Sequence, residues 1–214
     1  MEIDRLFDEA QRARVTRAVQ EAEAQSRGQI VPVVVGRSDA YPEARFRGAL
    51  LGAALATGAA LLAVPGHLPT SELLLVELVG GLLGAWAALW DPLERLLVGR
   101  QSMAQAVRSR ALRAFHEQGL HRTKEGTGVL IFASLLERQA VVLGDHGIHA
   151  RMGEDGWGET VGALVAGMAR GAPTDGFVEA IGRCGATLQA HFPPGAGAAA
   201  GRNELDDALR VSAS

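Results

Sequence analysis

The chain has few of the features that mark disulfide-bonded, secreted or nucleic-acid-binding proteins. Cys184 is the single cysteine among 214 residues, which excludes an internal disulfide and fits a reducing compartment. The formal net charge is -3, so there is no global basic surface for nucleic acid. Met1–Gln25 is charged throughout and lacks the apolar core of a secretory signal. We therefore expect no nucleic-acid partner and no secretory signal in this segment.

Familiar catalytic motifs are also missing from the sequence. A cysteine phosphatase needs an arginine six positions after its cysteine, whereas Ala190 stands there after Cys184. The chain has no Asp-x-Asp pair after a predicted strand, no His-Glu-x-x-His, no P-loop glycines and no Gly-x-Ser-x-Gly elbow. Phosphatase activity would therefore require a metal site assembled from scattered residues.

Two long apolar stretches dominate what is present. Gly48–Val64 has no charge and Leu73–Trp90 has one, Glu77, while the turn Pro65–Glu72 separates them. A helix rises about 1.5 Å per residue, so roughly 17–20 apolar residues cross the hydrocarbon core of a bilayer. Both stretches reach that length, and we predict a transmembrane helical hairpin over residues 48–90. The alternative is a hairpin buried inside a soluble core.

The charges around the hairpin predict its orientation. The turn has no lysine or arginine, whereas both outer flanks are rich in arginine. By the positive-inside rule, we expect the turn to be translocated across the membrane and the rest of the chain, with both termini, to lie in the cytoplasm. Trp86 and Trp90 then lie at the cytoplasmic interface, where aromatic belts form. Three arginines of this flank are candidates for contact with anionic lipid headgroups: Arg95, Arg100 and Arg108.

Small residues recur at every fourth position on both apolar stretches, at Gly48, Gly52, Ala56, Gly80 and Gly84. This spacing lets two helix backbones approach closely, although a chain rich in alanine and glycine also produces it by chance. We predict that one such face packs the hairpin and that another docks a partner helix. Glu77 lies about one turn inside the far interface, where it either reaches the headgroups or forms an ion or proton site.

The remaining segments alternate between helical and strand patterns. Ile30–Val35 and Val129–Leu136 predict strands, and a tight turn at Glu137-Arg138 pairs the second of them with Gln139–Leu143. Pro32 has no N–H for a ladder hydrogen bond, so the first strand should be an edge strand or bulged. The predicted fold class is α/β, a small mixed sheet flanked by helices, with an inserted two-helix hairpin.

This pattern divides the chain into three parts. Residues 1–47 and 91–193 are assigned to one discontinuous cytoplasmic domain, and residues 48–90 to the hairpin. Residues 194–214 are predicted to be a flexible C-terminal tail, because Gly195–Gly201 contains only glycine and alanine.

A polar cluster follows the last predicted strand. Asp145 stands at the carboxyl end of that strand, where α/β sheets tend to place ligands. A carboxylate with imidazoles nearby can hold a divalent cation such as calcium or magnesium. The alternative is a polar loop in which Asp145 and Asp155 cap backbone amides. The candidate metal ligands are Asp145, His146, His149, Glu154 and Asp155.

Short strings in a fixed order resemble the TPM domain family. The first helix is followed by Gly28-Gln29-Ile30-Val31, the central strand opens with Thr127-Gly128-Val129-Leu130, and the third strand is followed by Gly144-Asp145-His146-Gly147. The last helix opens with Asp175-Gly176-Phe177 and closes with His191-Phe192-Pro193. Their order and spacing resemble the bacterial form of the family, with a transmembrane hairpin inserted in the domain, over about Ile3 to Pro193.

The resemblance implies an α/β sandwich with a disputed biochemistry. The family is labelled phosphatase-like and some members are linked to divalent-metal binding, while others act as accessory or repair factors for membrane complexes, including photosystem and receptor assemblies. Two positions depart from the family pattern. Gln29 replaces the usual glutamate, and His146 replaces the arginine of Asp-Arg-Gly-Ile. A carboxylate and a cation are therefore missing where family members have them.

Together these features favour a membrane-anchored TPM-like domain that acts as an interaction, assembly or maintenance module for inner-membrane proteins. Its expected partners are the membrane and another membrane protein. The alternative is a divalent-metal-dependent phosphatase of the TPM family. A third hypothesis is a soluble domain whose hairpin mediates oligomerisation.

Overall fold

The computed structural model describes residues 6–64, 66, 69–123, 126–152, 155–193 and 205–212. The described chain falls into two compact units. One contains the residues up to Asp39 and those from Ala104 onwards, and the other is Ala40–Met103. The first unit holds the sheet and the second holds the hairpin.

A four-stranded mixed sheet forms the centre of the first unit. Its strands are β1 (Gln29–Val35), β2 (Gly128–Ser134), β3 (Gln139–Gly144) and β4 (Arg210–Ser212), in the order β3-β2-β1-β4. β1 runs parallel to β2 and β4, with Val31 opposite Leu130, and β3 runs antiparallel to β2. The predicted α/β fold class, a small mixed sheet flanked by helices, is therefore confirmed.

Helices cover both faces of this sheet. They are α1 (Glu9–Glu23), α5 (Arg100–Glu117), α6 (His146–Met152), α7 (Gly158–Ala169) and α8 (Pro173–His191). Ile30 and Val34 of β1 pack in one apolar cluster with α1, α7 and α8. Val31, Val33 and Val35 pack in a second cluster with α5. Because alternate side chains of a strand point to opposite faces, this double burial explains why Ile30–Val35 and Val129–Ala133 are apolar throughout.

Pro32 lies on the part of β1 that pairs with β2 alone. The Ile30 N–H donates to the Glu23 carboxylate at 2.6 Å, and the Gly36 N–H donates to the Ser212 carbonyl at 3.0 Å. Pro32 lies between these two positions, and β4 begins to pair only at Val33. The prediction of an edge strand is wrong for the second half of β1, because a neighbouring strand joins just beyond the proline.

The second unit contains the hairpin. It comprises α2 (Pro42–Ala63), α3 (Thr70–Ala87) and α4 (Asp91–Val98). α2 and α3 are long and apolar enough to cross a membrane, and 6% of the most apolar window of each is buried. Their leucines, including Leu55, Leu62 and Leu82, are exposed. A hairpin buried inside a soluble core does not match this exposure.

The C-terminal segment contributes to the sheet. Arg210–Ser212 form β4, and Leu209 is buried in the core beside it. The prediction of a flexible tail over residues 194–214 is therefore wrong for this part, since the segment finds its partner only in the folded β1. Residues 194–204, 213 and 214 lie outside the described residues.

Candidate functional site

Asp145 directly precedes helix α6, and its carboxylate binds the first residue of that helix. Its Oδ1 accepts the His146 backbone N–H at 2.7 Å and lies 3.1 Å from His146 Nδ1. Its Oδ2 accepts the Thr123 hydroxyl at 3.4 Å. The Asp145 carbonyl accepts the N–H groups of Ile148 and His149. This arrangement caps the helix, which is the capping alternative that the sequence left open.

The His146 ring lies against the loop before β2. Gly126 has φ +64°, and a Cβ added there would lie 2.9 Å from the His146 Nδ1. The glycine is therefore needed both for its backbone conformation and for the close approach of the imidazole. The ring remains largely open to solvent, with its side chain 83% exposed.

The structure brings together only part of the predicted metal-ligand set. Asp145 and His146 are adjacent, whereas His149 is exposed and meets Asp145 through its backbone. Glu154 and the side chain of Asp155 lie outside the described residues. Within the described part of the chain, no three side chains of His, Cys, Asp or Glu come close enough to hold a metal ion. The metal site stays a prediction.

A buried polar cluster that the sequence did not reveal joins the carboxyl ends of β1 and β2. The Ser38 hydroxyl donates to the Ser134 hydroxyl at 2.8 Å, and Ser134 donates to Glu137 Oε2. Glu137 Oε1 accepts the Ser38 N–H at 2.8 Å. From sequence, Glu137 was only a turn residue, because nothing local places Ser38 beside it. Buried hydrogen bonds of this kind fix the chain after β1 to the β2–β3 turn.

A second polar cluster lies at the other end of β1. Glu23 accepts the Ile30 N–H and faces the Asp207 carboxyl group. Burial raises the pKa of Glu23 to about 8, and the neighbouring Asp207 adds to the shift. Cys184 is fully buried, and burial together with Glu23 raises the pKa of its thiol. Gln29 Oε1 accepts the Leu205 N–H at 3.2 Å, so this cluster also fastens the C-terminal segment.

Glycines bring the two hairpin helices into contact. A Cβ on Gly48 would lie 2.6 Å from the Gly84 carbonyl oxygen, and a Cβ on Gly80 would lie 2.6 Å from the Gly52 carbonyl oxygen. Ala56 faces Gly80 across the same contact. No side chain larger than hydrogen fits at these glycines, so the small residues singled out in the sequence lie between α2 and α3.

One end of the hairpin carries exposed aromatic rings. Trp86 and Trp90 are 73% and 69% exposed, and Phe46 at the start of α2 is 66% exposed. The Gly48 position contacts Ala88, so the start of α2 and the end of α3 lie at the same level. Phe46 was not predicted from the sequence, because its position before the apolar run gave no signal by itself.

The arginines predicted to contact lipid headgroups follow Trp90 in the sequence. Arg100 and Arg108 are exposed, and Arg95 is half-buried on α4. Arg47 is used differently, since its guanidinium donates to the carbonyls of Leu97 and Val98 at the end of α4. This contact satisfies carbonyl groups that a helix end leaves without partners.

Comparison with known proteins supports the architecture and goes no further. No protein-family model and no curated protein matches this chain. Its fold is similar to that of the BA42 protein from the psychrophilic bacterium Bizionia argentinensis, determined by NMR. The TM-score is 0.57 at 18% sequence identity, over 95% of this chain and 94% of that chain. At this identity the likeness shows a shared fold.

Proposed function

We propose that the protein is a membrane-anchored module whose α/β unit binds, assembles or maintains other inner-membrane proteins. The observation that carries the proposal is the hairpin. Two helices of membrane-spanning length are joined at glycine contacts and expose their leucines outwards. Water-exposed apolar surface on this scale is unfavourable, and a lipid bilayer covers it.

The proposed orientation rests on one end of the hairpin. Phe46, Trp86 and Trp90 are exposed there, as expected for rings at a headgroup boundary. Arginines cluster on the chain that leaves this end, while the described residues of the opposite turn include no basic side chain. This distribution supports a cytoplasmic α/β unit under the positive-inside rule, with Arg95, Arg100 and Arg108 close to anionic headgroups.

Leu112 offers a way to test the interaction role. It is exposed on α5 and belongs to the sheet-containing unit. A photo-crosslinking amino acid at Leu112 in the full-length protein should give a discrete adduct with another membrane protein in cells. The matched control carries the same group at Glu159, whose side chain is 88% exposed on α7. Adducts with the protein itself alone, or equal diffuse labelling from both positions, would contradict the proposal.

A metal-dependent phosphatase is the second candidate function. Its structural support is the Asp145 carboxylate with the His146 ring and the Thr123 hydroxyl beside it. Calcium or magnesium binding, measured by calorimetry on the purified full-length protein, tests it. One equivalent of ion lost in Asp145→Asn, together with phosphate release from a model phosphoester, would favour the enzyme. Absence of both would remove this candidate.

A further inference from the structure

Glu77 is an ionisable group on the apolar surface of helix α3. It is exposed, and Leu74, Leu75 and Leu78 around it are each 60% exposed. A carboxylate is costly among lipid chains, so ionisable residues in membrane segments usually face a partner group or a pathway. A carboxyl group at the position of Glu77 therefore requires a hydrogen-bonding or charged partner group.

The structure turns the Glu77 carboxyl group towards helix α2 and not towards the turn. Glu77 lies seven residues after Thr70, the start of α3, which is about 10 Å along a helix. Its Oε1 accepts the Thr57 hydroxyl at 3.4 Å, and Thr57 lies six residues before the end of α2, about 9 Å along that helix. In the part of the chain that the structure describes, Thr57 is the one hydrogen-bonding partner of this carboxyl group.

Small residues of both helices line the hairpin surface beside this pair, which is termed the groove. A Cβ on Gly81, one turn after Glu77, would lie 3.5 Å from the Ala49 carbonyl oxygen and 3.8 Å from the Ala53 Cβ. Ala49, Ala53 and Thr57 are spaced by four residues and half-buried, and so is Gly81. The floor of the groove is thus made of small side chains, which lets a third helix approach closely.

We propose that this groove receives a membrane-spanning helix of another protein, and that this helix carries a lysine or arginine at the depth of Glu77. The inference rests on the proposed membrane location. The charge at the depth of Glu77 decides whether a second copy of this chain or a helix of another protein fits the groove. A second copy of the chain offers no lysine or arginine in either apolar stretch and would place two carboxylates together. A basic side chain instead neutralises Glu77 where the surroundings cannot solvate it.

The test uses the full-length protein in phosphatidylcholine vesicles with synthetic transmembrane peptides of leucine and alanine. One peptide has a single lysine about 10 Å from its end, and the other has leucine there. Energy transfer between labelled protein and labelled peptide reports association. We expect the lysine peptide to bind about tenfold more tightly, as one interhelical polar contact provides. Glu77→Gln should abolish this preference. Thr57→Val removes the α2 hydroxyl that donates to Glu77 and should leave the preference in place.

Glu72→Gln is the matched control, because Glu72 is exposed in the first turn of the same helix and outside the groove. It should keep the preference for the lysine peptide. Equal binding of both peptides, an unchanged preference in Glu77→Gln, or Glu77-dependent self-association without peptide would overturn the inference. Retention in the membrane after alkaline carbonate washing is measured in parallel. Extraction of the unaltered protein would contradict the membrane anchor itself and not only the groove.

Discussion

Glu23 shows how contact with a distant part of the chain changes the pKa of a single residue. In the sequence it is one of two acidic residues near the end of the first helix. Its burial and its contact with Asp207 arise only because residues 205–212 return to β1. Asp145 is the opposite case, because its place directly after a strand already offered the capping of backbone amides as one of two alternatives. Local neighbours in the sequence can indicate a cap, whereas they do not indicate a half-buried pair of acids from distant parts of the chain.

The raised pKa of Glu23 predicts that folding stability falls with pH. The folded protein retains the Glu23 proton up to about pH 8, whereas an unfolded glutamate loses it near its ordinary pKa of 4.5. The contribution of Glu23 is therefore complete below pH 4.5 and is lost as pH rises through 8. Over this interval we expect a loss of up to about 1.4 kcal/mol per pH unit.

Urea unfolding of the detergent-solubilised protein at pH 5 to 8.5, followed by circular dichroism, measures this dependence. Glu23→Gln should flatten the dependence, because the amide cannot ionise. Glu159→Gln, at an exposed position, should leave it in place. An identical pH dependence in Glu23→Gln would show that another group is responsible.

Among the helices and strands, the sequence predicted those that a repetitive residue pattern or a tight turn to a neighbouring element marks. Three strands were predicted within about two residues of their ends, because β-branched runs and a tight turn mark them. The arginine-rich segment after Trp90 forms two helices in the structure, because Gly99 has φ 87° between α4 and α5. β4 was missed because Arg210-Val211-Ser212 has no apolar run. Its place depends on the free edge of β1 beyond Pro32.

The glycine contact of the hairpin predicts a sharp difference between two alanine substitutions in α2. A Cβ at position 52 would overlap the Gly80 carbonyl oxygen and lie 2.8 Å from the Gly84 Cα. We expect Gly52→Ala to destabilise the hairpin by about 1–3 kcal/mol, because backbone atoms cannot move aside. Gly58→Ala should be neutral or slightly stabilising, since a Cβ there meets nothing within 4 Å. Thermal unfolding in detergent micelles compares the two, and equal effects would argue against the contact.

The docking of β4 predicts a local effect of Leu209→Ala. Leu209 is 6% exposed in the core, and truncation of a buried leucine costs about 2–5 kcal/mol where the surroundings cannot collapse. The C-terminal segment should detach first, so that the Gly36 amide, which donates to Ser212, loses protection from hydrogen exchange. Asp206→Asn removes an exposed ion pair with Arg210 and should have little effect. Unchanged exchange at Gly36 in Leu209→Ala would show that β4 docks independently of this side chain.

For the whole molecule, the proposed topology predicts which face of the membrane each unit occupies. Cys184 is fully buried and should not react with an impermeant maleimide, so the unaltered chain serves as a blank. Ser71 lies at the exposed start of α3, and the variant Ser71→Cys should be labelled from outside intact spheroplasts. Ser109→Cys lies on an exposed face of α5 and should react only after lysis. The reverse pattern would invert the orientation, and labelling of both before lysis would contradict a spanning hairpin.

The parallel pairing of β1 with β2 has a consequence for synthesis of the protein. About 100 residues separate the start of β1 from the start of β2, and the whole hairpin lies between them. At translation rates of about 5–20 residues per second, β1 waits roughly 5–20 s on the ribosome before its neighbour emerges. During that interval Val33–Val35 form an unpaired β-branched run, open to pairing with other nascent chains. In the proposed arrangement, the hairpin enters the bilayer before the sheet can close. The yield of correctly folded protein should then depend on how quickly insertion proceeds.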